Sequence, residues 1–237
     1  MKKLVVLSLG GSIIIPDPMN VYFLKQFREE LRSHYSHYKF VIICGGGSIA
    51  RKYMDALKSI HRSEYEQAIA GIRATRMNAR FMMQFFGNEA NGILPSNMNQ
   101  IKDALKKNHT VICGALRYAP DSTSDGTAAR LAQYLKTKFI NITNTPGLYT
   151  ADPRKNLHAH LIPKISWETF EELATSKPYI PGQHFVLDQK AAKIIHRRKI
   201  PTYIIGPDCR QLTNILHHKP FKGTLIHGNH DYNVTNR

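Results

Sequence analysis

The stretch Lys3–Ser12, KLVVLSLGGS, has five apolar residues out of six between Leu4 and Leu9 and then stops at two glycines and a serine. A run of this kind suits a strand buried on both faces of a parallel sheet. The two glycines let the backbone come close to an anionic group. A cation is expected at such a turn, yet Ser8 stands in the strand, and Lys2 and Lys3 lie before it. Working outward, a second stretch repeats the pattern. KFVIICGGGSIAR (residues 39–51) carries an apolar run into Gly45, Gly46 and Gly47 and then into a helix. Arg51 lies one turn inside that helix, where its guanidinium can fork onto phosphate oxygens. A lone glycine turn is explained by sterics. Two, each between a strand and a helix, point to phosphate chemistry. Neither fits GxxxxGK[ST] or GxGxxG, the P-loop and dinucleotide patterns.

Further along, strand-like and helix-like segments alternate. Helices are expected at residues 20–35, 45–60, 64–86, 97–108, 125–136, 167–174 (capped by Ser166), 185–198 and 209–218. Strands are expected at 3–9, 39–44, 110–116, 138–143, 201–206 and 223–228. Short Val- and Ile-rich runs separated by helices of ten or more residues predict an α/β fold with a mainly parallel sheet covered on both faces. No repeat or linker divides the 237 residues, so a single domain is expected.

Composition narrows the function classes. The 42% of hydrophobic residues fits a globular core, and no apolar run approaches the ~20 residues of a membrane span. The N-terminus shows no cleavage-site pattern, and Cys44, Cys113 and Cys209 form no CxxC pair. Cys44 and Cys113 end apolar runs and read as small buried side chains, which suits a reducing cytoplasm. The net charge of +16 suits a handler of phosphorylated small molecules. The bases are spread along helices, as at Arg73, Arg76 and Arg80, and no nucleic-acid motif accompanies them, so nucleic acid is not the expected partner. His158, His160, His217 and His218 lack metal-ligand spacing and read as surface residues; no protein metal site is expected. Trp167 is expected against the sheet, and the tail at 228–237 is read as polar and mobile.

In such a sheet ligands bind at the carboxyl ends of the strands, and three more features fall there. DSTSDGTAARLA brings the hydroxyls of Thr123 and Ser124 ahead of Asp125, read as a helix cap. TNTPGLYTADPRK (residues 143–155) follows a strand with an aromatic and polar groups suited to a purine and ribose. VLDQKAAKII puts Asp188, Lys190 and Lys193 at a helix start. A lysine in a first turn opposes the helix dipole, so Lys190 makes more sense as a ligand for anionic oxygen than as scaffold.

In this order the motifs resemble the amino acid kinase family, over nearly the whole chain. Within the family, TNTPGLYTADP followed by DQKAAKII is similar to the archaeal-type uridylate kinase branch. The resemblance implies a three-layer αβα sandwich, ATP with Mg²⁺ as donor, UMP as acceptor, and a homo-oligomer, a dimer or a hexamer of dimers. It also implies an acceptor-binding N-terminal part and an ATP-binding part from about residue 138. Gly10, Gly11 and Ser12 then match the loop at the transferred phosphoryl group. Gly45, Gly46, Gly47 and Arg51 match the acceptor loop, with Thr123 and Ser124 beside the base and phosphate. Asp125 matches the aspartate that orients catalytic cations. Thr143, Asn144, Tyr149, Asp152, Pro153 and Asp188 match the ATP side, and Lys190 falls where related kinases place a catalytic lysine.

Three positions depart from the pattern: Ser8 replaces a lysine, Ala68 a ribose-binding aspartate, and Pro146 the aspartate of a VDG turn. Without the ribose-binding carboxylate, weak discrimination between UMP and dUMP is expected, a strong preference for UMP pointing instead to Glu66 or Gln67 at the ribose. Lys190 is expected to supply the missing charge. Two other readings stay open at this level: a kinase of the same fold with another phosphate or carboxylate acceptor, and a non-catalytic nucleotide- or oxyanion-binding member. Residues 45–52 lack the histidine expected of isopentenyl phosphate and fosfomycin kinases.

Overall fold

The computed structural model describes residues 2–118, 123–176 and 187–228. Seven strands form one sheet in the order β3-β2-β1-β4-β6-β7-β5. They are β1 (Lys3–Leu9), β2 (Tyr38–Cys44), β3 (Thr110–Cys113), β4 (Phe139–Ile142), β5 (Lys164–Ile165), β6 (Thr202–Ile205) and β7 (Thr224–Ile226). The neighbouring pairs are parallel except β6 with β7, which run antiparallel. The strand side chains alternate between two cores, as the two-residue period of a strand requires. Val6, Val41, Val111 and Phe139 face one way, onto α5 (Met98–Lys107), α6 (Ser124–Tyr134), α7 (Trp167–Thr175) and α8 (Gln189–Arg198). Val5, Leu7, Phe40, Ile112 and Ile140 face the other, onto α2 (Val21–Ser33), α4 (Glu64–Phe86) and α9 (Cys209–Leu216). The result is a three-layer αβα sandwich. α3 (Gly47–Ser59) lies outside this packing, mainly against α4, and buries only Ala50.

The expected elements form, with local differences. The third strand ends at Cys113 rather than 116, because Gly114 packs against the backbone of α4 at Thr75 and Arg76 and turns the chain away. The short α1 (Gly11–Ile14) and the two-residue β5 carry too few residues to show a period, and they were not expected. Trp167 packs against the core at the β7 end of the sheet, its Nε1 donating to the Ile200 carbonyl at 2.9 Å. Cys44 and Cys113 are fully buried, and His158, His160, His217 and His218 are exposed. Phe185 and Val186, expected in the eighth helix, and the tail from residue 229 lie outside the described residues.

Candidate active site

The parallel strands β1, β2, β3 and β4 end at one edge of the sheet, and their following loops meet there. The β1 and β2 loops interlock through bare backbone. A Cβ on Gly11 would stand 2.1 Å from the Gly47 nitrogen, and one on Gly45 would stand 2.6 Å from the Gly11 nitrogen. Gly47 also has φ +66°, a conformation that side chains other than glycine rarely take. Glycine is therefore required here for packing, and the packing brings the first turns of α1 and α3 side by side. Their leading N–H groups have no acceptor within their helices. Arg51 is half-buried one turn into α3, and no hydrogen bond or ion pair holds its guanidinium among the described residues.

α4 braces these loops from below. The buried Asn78 donates its Nδ2 to the Gly45 carbonyl at 2.7 Å. Thr75 Oγ1 accepts from Ala115 N at 2.9 Å, and Arg76 donates to the carbonyls of Ala115 (3.1 Å) and Leu116 (2.5 Å). Of the three arginines expected to share a solvated face, only Arg73 and Arg80 are exposed; Arg76 is spent on the β3 loop.

On the opposite face, polar groups collect where β1 meets α6 and α8. Ser8 is 1% exposed, and its hydroxyl donates to Asp125 Oδ1 at 2.8 Å. Asn141, also buried, is its register partner on β4. Thr123, not Asp125, is the cap of α6: its side chain accepts from the Asp125 amide. The sequence reading had placed the cap on the carboxylate. The helix starts one residue earlier, which turns Asp125 inward to Ser8. Burial pushes the Asp125 carboxyl up to about 7, the charge of Asp188 adds to the rise, and the Ser8 hydrogen bond pulls it back.

Asp188 caps α8, with Oδ1 accepting from Ala191 N at 2.6 Å. Its Oδ2 accepts from Thr123 N (2.9 Å), Thr123 Oγ1 (2.6 Å) and Gly126 N (3.1 Å). In the first turn of α8, Lys190 is half-buried while Lys193 is exposed, which separates the two lysines as expected.

The loop after β4 carries the remaining expected residues. Thr143 continues the sheet, its N–H donating to the Ile205 carbonyl at 2.9 Å, and Asn144 is exposed. Pro146 packs on Gly206, and Tyr149 bridges to Leu161. The Asp152 carboxylate is held by Arg154 through the amide at 3.0 Å and Nε at 3.1 Å, just before the turn at Pro153. This loop is tied to the far end of the sheet, the Leu148 amide donating to Thr224 Oγ1 of β7 at 2.8 Å, whereas the glycine loops and the α6–α8 junction flank the end of β1.

Over residues 3–206 the sequence matches the family model for amino acid kinases. The chain belongs to the amino acid kinase family. The uridylate kinase of Thermococcus sibiricus is 33% identical to it over 224 residues, 94% of this chain and 98% of that protein. The uridylate kinase of Thermoplasma volcanium is 33% identical over 228 residues, 95% and 98%. The crystal structure of uridylate kinase from Archaeoglobus fulgidus matches with a TM-score of 0.81 at 32% identity, covering 95% of this chain and 100% of that one. Aspartate kinase from Synechocystis, at 17% identity and a TM-score of 0.67, shares the fold.

In this amino acid kinase Glu66 and Gln67, the two residues before Ala68, each already hold the start of α4. Glu66 closes a capping box with Ser63, its Oε2 accepting the Ser63 amide at 3.0 Å. Gln67 is buried and donates to the Arg62 carbonyl at 2.8 Å. The side chain that does stand one turn from Ala68 is Tyr65, edge-on to Tyr118 of the β3 loop at 4.9 Å between centroids. Thr75, Asn78 and Tyr65 were missed from sequence. The available signal was a set of polar residues, Thr75 and Asn78, on the otherwise apolar face of α4 that carries Ala74, Ala79 and Met82.

Proposed function

We propose that the protein is an ATP-dependent phosphotransferase that moves the γ-phosphoryl group of ATP to UMP, giving UDP. The observation that carries this reading is the pairing of two bare glycine loops and an unpaired Arg51 with a polar junction, one on each side of the end of β1. The relatives named uridylate kinase support the choice of acceptor. Phosphoryl transfer needs no covalent nucleophile. It needs the two substrates held in line and positive charge spread over the transferring group.

In this reading Gly11 and Ser12 hold the transferring group by their amides, and Gly10, whose N–H donates to the Ile142 carbonyl at 3.0 Å, shapes the turn. Gly45, Gly46, Gly47 and Arg51 hold the phosphate of UMP, with Thr123 and Ser124 beside it. Thr143, Asn144, Tyr149, Asp152 and Pro153 line the ATP side, in the part of the chain from about residue 138. Lys190 supplies the positive charge that Ser8 does not. Mg²⁺ bound with ATP would supply further positive charge at the donor phosphates. Asp125 suits such a hard cation, being a carboxylate held by a single hydroxyl. Among the described residues no three His, Cys, Asp or Glu side chains form a metal cluster, so phosphate oxygens would have to complete the cation's shell.

A cytoplasmic homo-oligomer completes the proposal. The homo-oligomer is supported by exposed Tyr53 on α3 and Ile60 at its C-terminal cap, on a helix that leaves most of its surface uncovered. No described helix is long and apolar enough to cross a membrane.

The test is a panel of acceptors with MgATP: UMP, CMP, isopentenyl phosphate and N-acetylglutamate, read as ADP formation and as thermal stabilisation. UMP should give the highest kcat/KM and raise the melting temperature by mass action. A better acceptor elsewhere in the panel, or nucleotide binding with no transfer, would overturn the reading. With Ala68 in place of a carboxylate, no buried acceptor is left unpaired by dUMP. UMP and dUMP should therefore differ by less than about tenfold in kcat/KM.

A further inference from the structure

Asp188 makes more hydrogen bonds than a helix cap needs. Capping α8 takes one oxygen, and Oδ1 does it with the Ala191 amide at 2.6 Å. The other oxygen reaches a different helix, more than sixty residues earlier in the chain, and accepts from Thr123 N, Thr123 Oγ1 and Gly126 N. A carboxylate offers about four lone-pair sites. Three protein donors crowd Oδ2 and one reaches Oδ1, so Oδ2 has no capacity left for a nucleotide hydroxyl or a cation and Oδ1 keeps a single site. The first turns of α6 and α8, each a positive dipole end, thus converge on one negative charge. One of these turns carries Ser124 and Asp125, and the other carries Lys190.

We infer that Asp188 is a positioning residue rather than an ATP ligand. It staples the start of α6 to the start of α8, so that Lys190 on the donor side stays in register with Thr123, Ser124 and Asp125 on the acceptor side. The inference rests on the phosphotransferase reading above, and it adds a device by which the two substrate halves share one geometry. In-line transfer is steep in distance: a misplacement of about 1 Å can cost roughly a hundredfold. A staple at this junction therefore acts on turnover rather than on substrate affinity.

Asp188→Asn isolates the staple. Asparagine caps helices about as well as aspartate, so the start of α8 is kept through one oxygen. Its amide NH₂ then faces three donors in place of Oδ2. The full-length variant should lose roughly ten- to a hundredfold in kcat. The ATP Kd by calorimetry should stay within about twofold. Thr123→Val, which removes the hydroxyl bond to Asp188 together with the α6 cap, should reproduce part of the kcat loss. In a Lys190→Ala background, Asp188→Asn should cost less than about threefold more, because residues that act through one another are not additive. The acceptor used is whichever the panel turns over fastest, so a wrong choice of UMP does not count against Asp188. The inference is overturned if Asp188→Asn weakens ATP binding tenfold or more with kcat kept, or if its cost multiplies with that of Lys190→Ala.

Discussion

The two sides of the end of β1 are built from opposite materials. On one side the loops of Gly11, Gly45 and Gly47 touch backbone to backbone, with no side chain between them. On the other, Ser8, Thr123, Asp125 and Asp188 meet through hydroxyls and carboxylates. The first side is governed by sterics: it presents amide N–H groups, tolerates no added atom and does not respond to pH. The second is governed by charge: it holds a carboxyl with a displaced pKa, and its parts can be exchanged for others of similar polarity. A phosphoryl-transfer site uses both, because phosphate oxygens need close donors as well as balancing charge.

The contrast breaks most sharply at the glycine seam. Gly11→Ala places a methyl group on the backbone of the neighbouring loop, and backbone cannot move aside as a flexible side chain would. It should cost about 3 kcal/mol or more of stability and abolish activity. Gly92→Ala, at a loop glycine with nothing within 4 Å of its added Cβ, should be nearly neutral. Denaturant unfolding of both variants checks this.

Next comes the anion-binding edge of the same side. If Arg51 holds the acceptor phosphate, Arg51→Ala should raise the acceptor KM by roughly ten- to a hundredfold, the loss of a charge-assisted bond of ~1.5–3 kcal/mol. The ATP KM should scarcely change. Steady-state kinetics with each substrate varied decide it, and equal effects on both would place Arg51 elsewhere.

The smallest effect sharpens the polar side. The folded Asp125 carboxyl titrates at about 7, against an ordinary 3.8. Between those values the native state holds a proton that the unfolded state has lost, so this group makes stability fall as pH rises from about 4 to 7. The penalty is fully present above 7. Asp125→Asn removes it, so the melting temperature of the variant relative to the parent should be a few degrees higher at pH 8 than at pH 5. A difference that does not change with pH would mean that Asp125 is not held in this environment.

The two sides also differed in how far the sequence revealed them. The glycine seam was legible because apolar runs ending in glycine pairs have a local signature, and so did Arg51 at a fixed distance inside the helix. The interlocking itself was not, since it depends on two loops more than thirty residues apart. At the polar junction, residue types were visible but not their partners. Asp125 was read as a cap because capping is local, whereas its bond to Ser8 joins positions 117 residues apart. The resemblance sets Asp188 on the ATP side, and its bonds to Thr123 and Gly126 are likewise invisible in the sequence. Glu66 and Gln67 looked available to a ribose until the capping box at Ser63 and the turn at Arg62 engaged them. A mainly parallel sheet was implied by the alternation of strands and helices, but its strand order, β5 and the antiparallel β6–β7 pair were not, because pairing between distant strands and strands of two or three residues leave no local period.

The central claim is that the charge missing at Ser8 is supplied by Lys190 at the start of α8. Its most direct test is kcat for Lys190→Ala at saturating MgATP and acceptor, with Lys193→Ala as control. Loss of a cation that acts mainly in the transition state should cut kcat by roughly a hundredfold or more with both KM values little changed. Lys193→Ala, at an exposed position on the same helix, should be nearly silent. A Lys190→Ala enzyme that turns over like the parent would contradict the claim and send the search for the cation elsewhere in the site.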